Sequence, residues 1–406
     1  MLKKISFFAF VALLFAGCSS DDQEKKEKKR DFKESVYAFV NSHPDIVGYG
    51  RVDLRTIMDE GNIEQVGIYQ LFVAETFDQV KKQVDINTPV YFATTTTEGH
   101  SDMTLYAMLK LKSKKELVQN WTDSGYEFKE HKGISYAEDE GLILAAKDNV
   151  AMMVVIPGDF DGKKIVTKAF KYADGKKAPD QIKKQLEAKG DFVMHMNVDP
   201  LRPNVPMLAA VPQGAELDVA MNFDKGEVVF ESKMKDFDKM KSQLSMEMTK
   251  EPIIAKKVND ENGNMVMAVQ LSAKSPLMDM IGMNDEQLEK SMNMAPFMLS
   301  GQNITLSITK IEEGEQIEMP SGKMMGGEFM ELVIDLDVLM SLMPEYQPYK
   351  DYWSKMDAAS LSINQDGTLR LVITSDEKGK NFLATVFGSV EEFMNNGGMQ
   401  MLLTGI

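Results

Sequence analysis

The 406-residue sequence contains a single cysteine, Cys18. One thiol cannot form an intramolecular disulfide or supply the several thiolates of a cysteine-based zinc site. The chain has only four histidines, and no two of them have the spacing of an HExxH metalloprotease motif. A Gly-x-Ser-x-Gly elbow, a P-loop and a dinucleotide-binding glycine fingerprint are also missing. We therefore predict no catalytic site, no cofactor and no metal site.

The N-terminus has the layout of a secretory signal. Lys3 and Lys4 precede a mostly apolar run over residues 5–15, and the small residues Ala16 and Gly17 follow it. The run is too short to span a bilayer, which takes roughly 20 residues. The alternative is a buried N-terminal helix, but this run lacks the polar face that such a helix normally has. We predict a signal peptide over residues 1–17.

The sequence Phe15-Ala16-Gly17-Cys18 resembles the lipobox of bacterial lipoproteins, although Phe15 replaces the usual leucine. The resemblance implies that a signal peptidase recognises Phe15, Ala16 and Gly17. It also implies that Cys18 becomes the new N-terminus and carries diacylglycerol on sulfur and an acyl chain, such as palmitate, on nitrogen. Several acyl chains, at ~0.8 kcal/mol per buried CH₂, are expected to anchor a protein stably.

The residues after the cysteine are Ser19, Ser20, Asp21 and Asp22. This acidic flank resembles the surface-export signal of Bacteroidota lipoproteins, which implies a lipid-anchored position in the cell outer membrane, facing the cell surface. The periplasmic face is the alternative. The charged stretch that continues to residue 31 cannot bury enough apolar surface to fold. We predict a flexible tether over residues 18–31, with a maximum span of ~50 Å.

Acidic residues outnumber basic ones along the whole chain. It has 46 lysines and arginines against 62 aspartates and glutamates, a net charge of −16. Cleavage before Cys18 would remove Lys3 and Lys4 and no acid, giving −18. Nucleic-acid binding requires a basic face, so the composition predicts no nucleic-acid partner. It also predicts a body that is held away from an anionic membrane surface.

The body alternates between strand-like and helix-like patterns. Three passages share one order: a strand ending in Val/Ile-Asp, a variable middle, a hairpin with a turn glycine, and a helix start. We therefore predict an α+β fold of antiparallel sheets with helices packed on one face, built from three loosely repeated β-(α)-ββ-α units. Two lobes are expected, over residues 32–190 and 191–406. The shared positions are Val52-Asp53, Val198-Asp199 and Ile334-Asp335 at the strand ends, Gly99, Gly226 and Gly367 at the turns, and Ser113, Asp236 and Ser375 at the helix starts.

The three strand-end aspartates, Asp53, Asp199 and Asp335, have two interpretations. An aspartate after a strand normally caps the next helix or turn, and this is our prediction. The alternative is that all three are ligands at one site.

Methionine is abundant, with 32 residues, many of them between Met234 and Met343. Thioethers bind Cu(I), so copper handling is one interpretation. Flexible packing in a core or on an adaptable apolar surface is the interpretation we favour.

Two passages carry a wider resemblance. They are Phe39–Val47, which precedes a strand and Asp53-Leu54, and Val84–Phe92, which follows a long helical pattern. Together with the acidic flank of Cys18, they resemble a Bacteroidota lipoprotein family of unknown function, which has no assigned activity to carry over.

We therefore expect a lipid-anchored cell-envelope protein that is not an enzyme and that acts as a surface-exposed binding or structural module. The membrane is its expected partner through Cys18, and an envelope protein or glycan is a further one. Two alternatives remain open. One is a carrier or chaperone of apolar ligands with a methionine-rich groove. The other is a glycan or peptide hydrolase whose carboxylates cannot be paired from sequence.

Overall fold

The computed structural model describes residues 30–65, 82–96, 103–158, 160–202, 213–235, 237, 253–259, 265–272, 292–293, 297–299, 302–311, 330–336, 354–364 and 366–393. Its chain divides into two compact units, Met1–Ala220 (unit 1) and Met221–Ile406 (unit 2). The lobe boundary between residues 190 and 191 stays a prediction.

Unit 1 combines helices with short strands. In chain order they are α1 Phe32–Ser42, β1 Ile46–Val52, α2 Leu54–Glu60, a 3-10 turn Ile63–Gln65, β2 Val90–Thr96, β3 Met103–Lys110, α3 Lys114–Asp123, β4 Lys129–His131, β5 Ile134–Asp139, β6 Leu142–Lys147, β7 Val150–Val155, α4 Gly162–Ala173, α5 Asp180–Leu186, β8 Phe192–Asn197 and a 3-10 turn Asp199–Leu201. Strand β9, Glu216–Asp224, crosses the boundary between the units.

The strands of unit 1 form an antiparallel sheet. Hydrogen bonding gives the order β8-β1-β2-β3-β7-β6-β5-β4. The first two neighbours in this order are far apart in sequence, since Val52 of β1 faces Phe192 of β8. The addition of β8 to this sheet therefore depends on a long-range pairing that no local pattern specifies.

Helices cover both faces of this sheet. Tyr106 and Met108 of β3 belong to a core cluster that includes buried residues of α1, α4 and α5. Ala107 and Leu109, which point the other way, belong to a second cluster that includes residues of α2 and α3. The central strands are buried on both sides, so their side chains are apolar without alternation. The α+β class and the mostly antiparallel sheet are confirmed. In this unit, however, helices pack on both faces of the sheet and not on one face only.

Unit 2 is richer in strands. Its elements are β10 Glu227–Met234, β11 Ile253–Asn259, β12 Met265–Ser272, β13 Met292–Asn293, β14 Phe297–Leu299, β15 Gln302–Ile311, β16 Met330–Asp335, β17 Met356–Ile363, β18 Thr368–Ser375 and α6 Phe382–Phe393. The order is β10-β18-β17-β16-β11-β12-β15, with β13 and β14 both paired to β15. The β16–β11 and β12–β15 pairs are parallel.

The repeated order of elements is present among the described residues. It is β1-α2-β2-β3-α3 in the first passage, β8, a 3-10 turn, β9 and β10 in the second, and β16, β17, β18 and α6 in the third. In the first and third passages the three strands are hydrogen-bonded neighbours in sequence order. Gly226 and Gly367 have positive φ angles, as their turns require.

The helix starts of the repeats differ in detail. Ser113 caps α3 by accepting a hydrogen bond from the Glu116 N–H, as predicted. Ser375 does not begin a helix, because it is the buried last residue of β18. Helix α6 begins at Phe382, and the Asn381 side chain accepts a hydrogen bond from the Leu383 N–H. Gly99 and Asp236 lie outside the described residues.

Candidate functional site

The residues predicted to direct lipidation and export lie outside the described part of the chain, which begins at residue 30. They are Phe15, Ala16, Gly17, Cys18, Ser19, Ser20, Asp21 and Asp22. Their roles therefore remain predictions. No helix among the described residues is long and apolar enough to cross a membrane.

The end of the predicted tether is fixed to the body. The Arg30 guanidinium donates hydrogen bonds to the carbonyl oxygens of Ala173 and Gly175, both at 3.1 Å. The Asn149 amide donates to the Arg30 carbonyl at 3.2 Å. Asp31 then caps α1 by accepting from the Lys33 and Glu34 N–H groups. The chain thus enters the body at the C-terminal end of α4.

Two of the three strand-end aspartates act locally. Asp53 accepts from the Thr56 N–H and caps α2. Asp199 accepts from the Gly214 N–H at 2.7 Å and from Arg202 Nε at 2.8 Å. The pKa of Asp199 is lowered, chiefly by the hydrogen bond that Arg202 donates to its carboxylate.

These two aspartates cannot share a ligand. The Asp53 N–H bonds to the Asp191 carbonyl, just before β8, whereas Asp199 follows the far end of β8. Eight residues of extended chain separate the two ends by roughly 25 Å. The alternative of one site built from the aspartates is therefore wrong for this pair, and capping explains both. Asp335 is the last residue of β16 and pairs with Ala358 in the unit 2 sheet.

A polar grouping around His195 lies where α5, β1, β8 and β9 meet in unit 1. The Tyr49 hydroxyl donates to Gln185 Oε1, and Gln185 Nε2 lies 2.8 Å from His195 Nδ1. Asp218 Oδ1 also lies 2.8 Å from His195 Nδ1. Burial raises the pKa of Tyr49, and the charges of Asp218 and Glu216 raise it further.

His195 Nδ1 therefore has two neighbours with opposite hydrogen-bonding requirements. Its lone pair can accept from the Gln185 amide, or a proton on it can be donated to Asp218. The contacts described for this imidazole are an amide, a carboxylate and the Tyr49 ring, whose centroid is 5.1 Å away. They do not include the hydroxyl or thiol that a hydrolase places against its histidine.

The other histidines have different environments. His43 packs among the rings of Phe39, Tyr106 and Tyr172, with centroids 4.7–5.6 Å from its own. His131 ends the short strand β4, and His100 lies outside the described residues. Within the part of the chain that the structure describes, no three His, Cys, Asp or Glu side chains are grouped so that they could hold a metal ion.

Unit 2 contains a buried carboxylate. Glu331 of β16 is 2% exposed, and the Ser360 hydroxyl donates to it at 3.2 Å. It faces Ser362 across the strands, and Ser362 in turn faces Arg370, which forms an ion pair with Glu231 at 3.2 Å. Opposite charges thus lie on one row of the sheet, an arrangement that stabilises neighbouring strands.

Most of the methionine-rich stretch from Met234 to Met343 lies outside the residues whose side chains are described. Its role stays a prediction. In unit 1, Met108, Met152 and Met153 are buried in the two core clusters, where the flexible thioether side chain fills space between the helices and the sheet.

No protein-family model matches the chain, and no curated protein matches it. Among solved structures, it resembles crystal form III of TP0453, with 14% identity and a TM-score of 0.33 over 52% of this chain and 84% of that one. It also resembles crystal form I of TP0453, with 12% identity and a TM-score of 0.32 over 55% of this chain and 89% of that one. Likeness at this level carries no argument about function.

Proposed function

We propose that this chain is a lipid-anchored protein of the bacterial cell envelope, and that its body is a surface-exposed binding or structural module without catalytic activity. The observation that carries the proposal is the position of its single cysteine. Cys18 stands after an apolar run with small residues before it, and a charged tether follows. The hydrogen bonds of Arg30 to the Ala173 and Gly175 carbonyls fix where the predicted tether meets the body.

The proposal that the body has no catalytic activity rests on the contacts of its described polar side chains. Asp53 and Asp199 are used as caps, Glu331 accepts from Ser360, and His195 contacts an amide and a carboxylate. No contact among the described residues favours the apolar-ligand carrier or the hydrolase, so neither is proposed.

The anchor is tested by expressing the full chain in a bacterium that processes lipoproteins. Mass spectrometry of the membrane fraction should find a mature chain that begins at Cys18 and carries acyl groups. The Cys18→Ser variant should lose the acyl mass. Gln23→Ala, which lies outside the predicted export signal, is the control and should behave as the wild type. A wild-type chain that keeps residues 1–17, or an unmodified Cys18, would show that the proposal is wrong.

The binding role is tested by pull-down from intact cells that display the lipidated chain. We expect an envelope protein or glycan to be retained by the wild-type body. Turnover of a peptide or glycan pool by the purified chain, abolished by His195→Gln or Asp218→Asn, would instead show an enzyme.

A further inference from the structure

One segment of this acidic protein has the opposite charge. Residues 163–189 contain nine lysines and three acidic residues, a net charge of +6, although the whole chain has −16. The rest of the chain therefore carries −22. The segment comprises most of α4, the connection after it and α5.

The lysines of α4 point away from the core. Lys164, Lys168 and Lys171 are exposed and follow an i, i+4, i+7 spacing, which places them on one side of the helix. The opposite side packs against the sheet through Val166, Ala169, Phe170 and Ala173, which are all buried. We call the exposed lysines of this segment the basic face. They are Lys163, Lys164, Lys168, Lys171, Lys176, Lys177, Lys184 and Lys189.

Partners outside the basic face take up two of the three acids in the segment. Asp174 accepts from Lys147 Nζ at 2.6 Å. Glu187 accepts from the Tyr37 hydroxyl at 2.7 Å and lies 3.7 Å from Lys33 Nζ. The ninth lysine, Lys183, is paired with Glu34 at 2.8 Å, so it is not counted in the basic face. The exposed lysines therefore keep their charge available for an external partner.

The predicted tether joins the body at this same place. Arg30 is hydrogen-bonded to the carbonyls of Ala173 and Gly175, between Lys171 and Lys176. The twelve residues from Cys18 to residue 29 span at most ~40 Å. They contain four lysines and four acidic residues, so the tether itself adds no net charge. A lipid on Cys18 would thus hold a membrane within reach of the basic face.

We propose that the basic face docks on the phosphate-bearing headgroups of the membrane that holds Cys18. This rests on the proposed lipid anchor. The negative charge elsewhere on the body does not prevent it, because charges more than ~10 Å away are largely screened at 0.1 M salt. Each lysine near an anionic membrane surface strengthens binding by a factor of about 5. The tether adds a high effective concentration, so even weak docking would orient the body.

The test uses the mature chain, residues 18–406 with Cys18→Ser, which carries neither a lipid nor the apolar run of residues 5–15, and measures sedimentation with vesicles. Vesicles of phosphatidylcholine with phosphatidylglycerol should bind this chain, and vesicles of phosphatidylcholine alone should not. The same chain with the further substitutions Lys164→Gln, Lys168→Gln and Lys171→Gln should bind the anionic vesicles about 100-fold more weakly. Binding of the parent chain should also fall steeply as salt is raised.

The matched control is Lys82→Gln, Lys112→Gln and Lys115→Gln in the same Cys18→Ser background. It removes the same charge, and Lys112 and Lys115 flank the start of α3, which packs on the other face of the sheet. Lys82 is exposed and precedes Gln83, whose side chain accepts from Asn120 of α3 at 3.0 Å. The control should bind as the parent does. Equal loss in both triple variants, absence of binding to anionic vesicles, or binding to DNA but not to vesicles would overturn the proposal.

This outcome is separate from that of the anchor. If Cys18 is acylated in cells but the unlipidated chain does not bind anionic vesicles, the anchor is supported and the docking face is wrong. If the unlipidated chain binds through α4 but Cys18 of the wild type is unmodified, the membrane-binding face is supported and the anchor is wrong.

Discussion

His43 illustrates how the environment of one residue sets its chemistry. Its ring lies among Phe39, Tyr106 and Tyr172, and its Nδ1 accepts from the Asp45 N–H at 3.3 Å. Burial lowers the pKa of His43, and Asp45 and Lys168 act on it in opposite directions. The aromatic cluster therefore favours the neutral imidazole.

We predict that His43 makes the folded state sensitive to mild acid. Because its folded pKa lies below the unfolded value of 6.5, its contribution is complete above that value and declines as the pH falls towards the folded pKa. Urea unfolding at pH about 7.5 and about 5.5 should show a loss of stability in acid, and His43→Gln should reduce the loss. A variant with unchanged pH dependence would assign the effect to other groups.

Gly367 shows a backbone requirement in the β17–β18 turn. Its φ is +82°, and a Cβ there would lie 2.3 Å from the Cβ and Cγ of buried Phe237. The residue therefore needs both a left-handed conformation and the absence of a side chain.

We predict that Gly367→Ala lowers the free energy of unfolding by about 3 kcal/mol or more, because left-handed strain and overpacking add together. Gly158→Ala is the matched control. Its φ is +83° with nothing within 4 Å of the added atom, so only the backbone strain of about 1 kcal/mol should remain. Chemical denaturation of both variants compares the two. Equal losses would mean that Phe237 moves aside freely.

At the scale of the element, β1 is held between two strands and has two glycines. A Cβ on Gly50 would lie 2.1 Å from the Val193 carbonyl oxygen and 2.6 Å from the Phe92 ring. Phe92 stacks on Phe192 at 5.5 Å between centroids, on the same side of the sheet. The missing side chain on Gly50 therefore leaves room for the Phe92 ring over β1.

We predict that Gly50→Ala separates β1 from a neighbouring strand and destabilises the chain by about 3 kcal/mol or more. Gly48→Ala should cost less, because the nearest atom to its Cβ is the flexible Met194 methyl at 3.0 Å. Circular dichroism during urea unfolding measures both, and amide exchange on β1 and β8 should rise only in Gly50→Ala. Equal destabilisation by the two variants would show that a collision with the Val193 carbonyl does not explain the effect of Gly50→Ala.

At the scale of the whole molecule, charge is distributed unevenly. The net charge of −16 predicts a body held away from an anionic membrane. The proposed docking face is a local exception, because lysines spread over residues 163–189 gather beside the tether.

The orientation of the anchor gives the whole-molecule prediction. If Ser19, Ser20, Asp21 and Asp22 direct export, Asp21→Ala with Asp22→Ala should keep the acylated Cys18 but leave the body on the periplasmic face. Protease added to intact cells should then digest the wild-type body and spare the variant. Ser19→Ala with Ser20→Ala tests whether the acids alone matter, since it keeps both charges. A wild-type body that resists protease until the outer membrane is broken would show that the surface assignment is wrong.

The sequence alone determined features that depend on neighbouring residues. Most described strands follow from local composition, period and turn chemistry. The Ser113 cap of α3 and the turn glycines Gly226 and Gly367 also follow, since each acts within a few residues. The signal peptide and the tether stay predictions from the same kind of local pattern.

Only the tertiary structure decided what depends on distant residues. Pairing of β1 with β8, helices on both faces of the unit 1 sheet, and the aromatic surroundings of His43 join parts of the chain far apart in sequence. The contact of Arg30 with the end of α4 is of the same kind, and it places the tether beside the basic face. Such contacts come from burying shared apolar surface and satisfying backbone groups across the fold, which composition and periodicity do not specify.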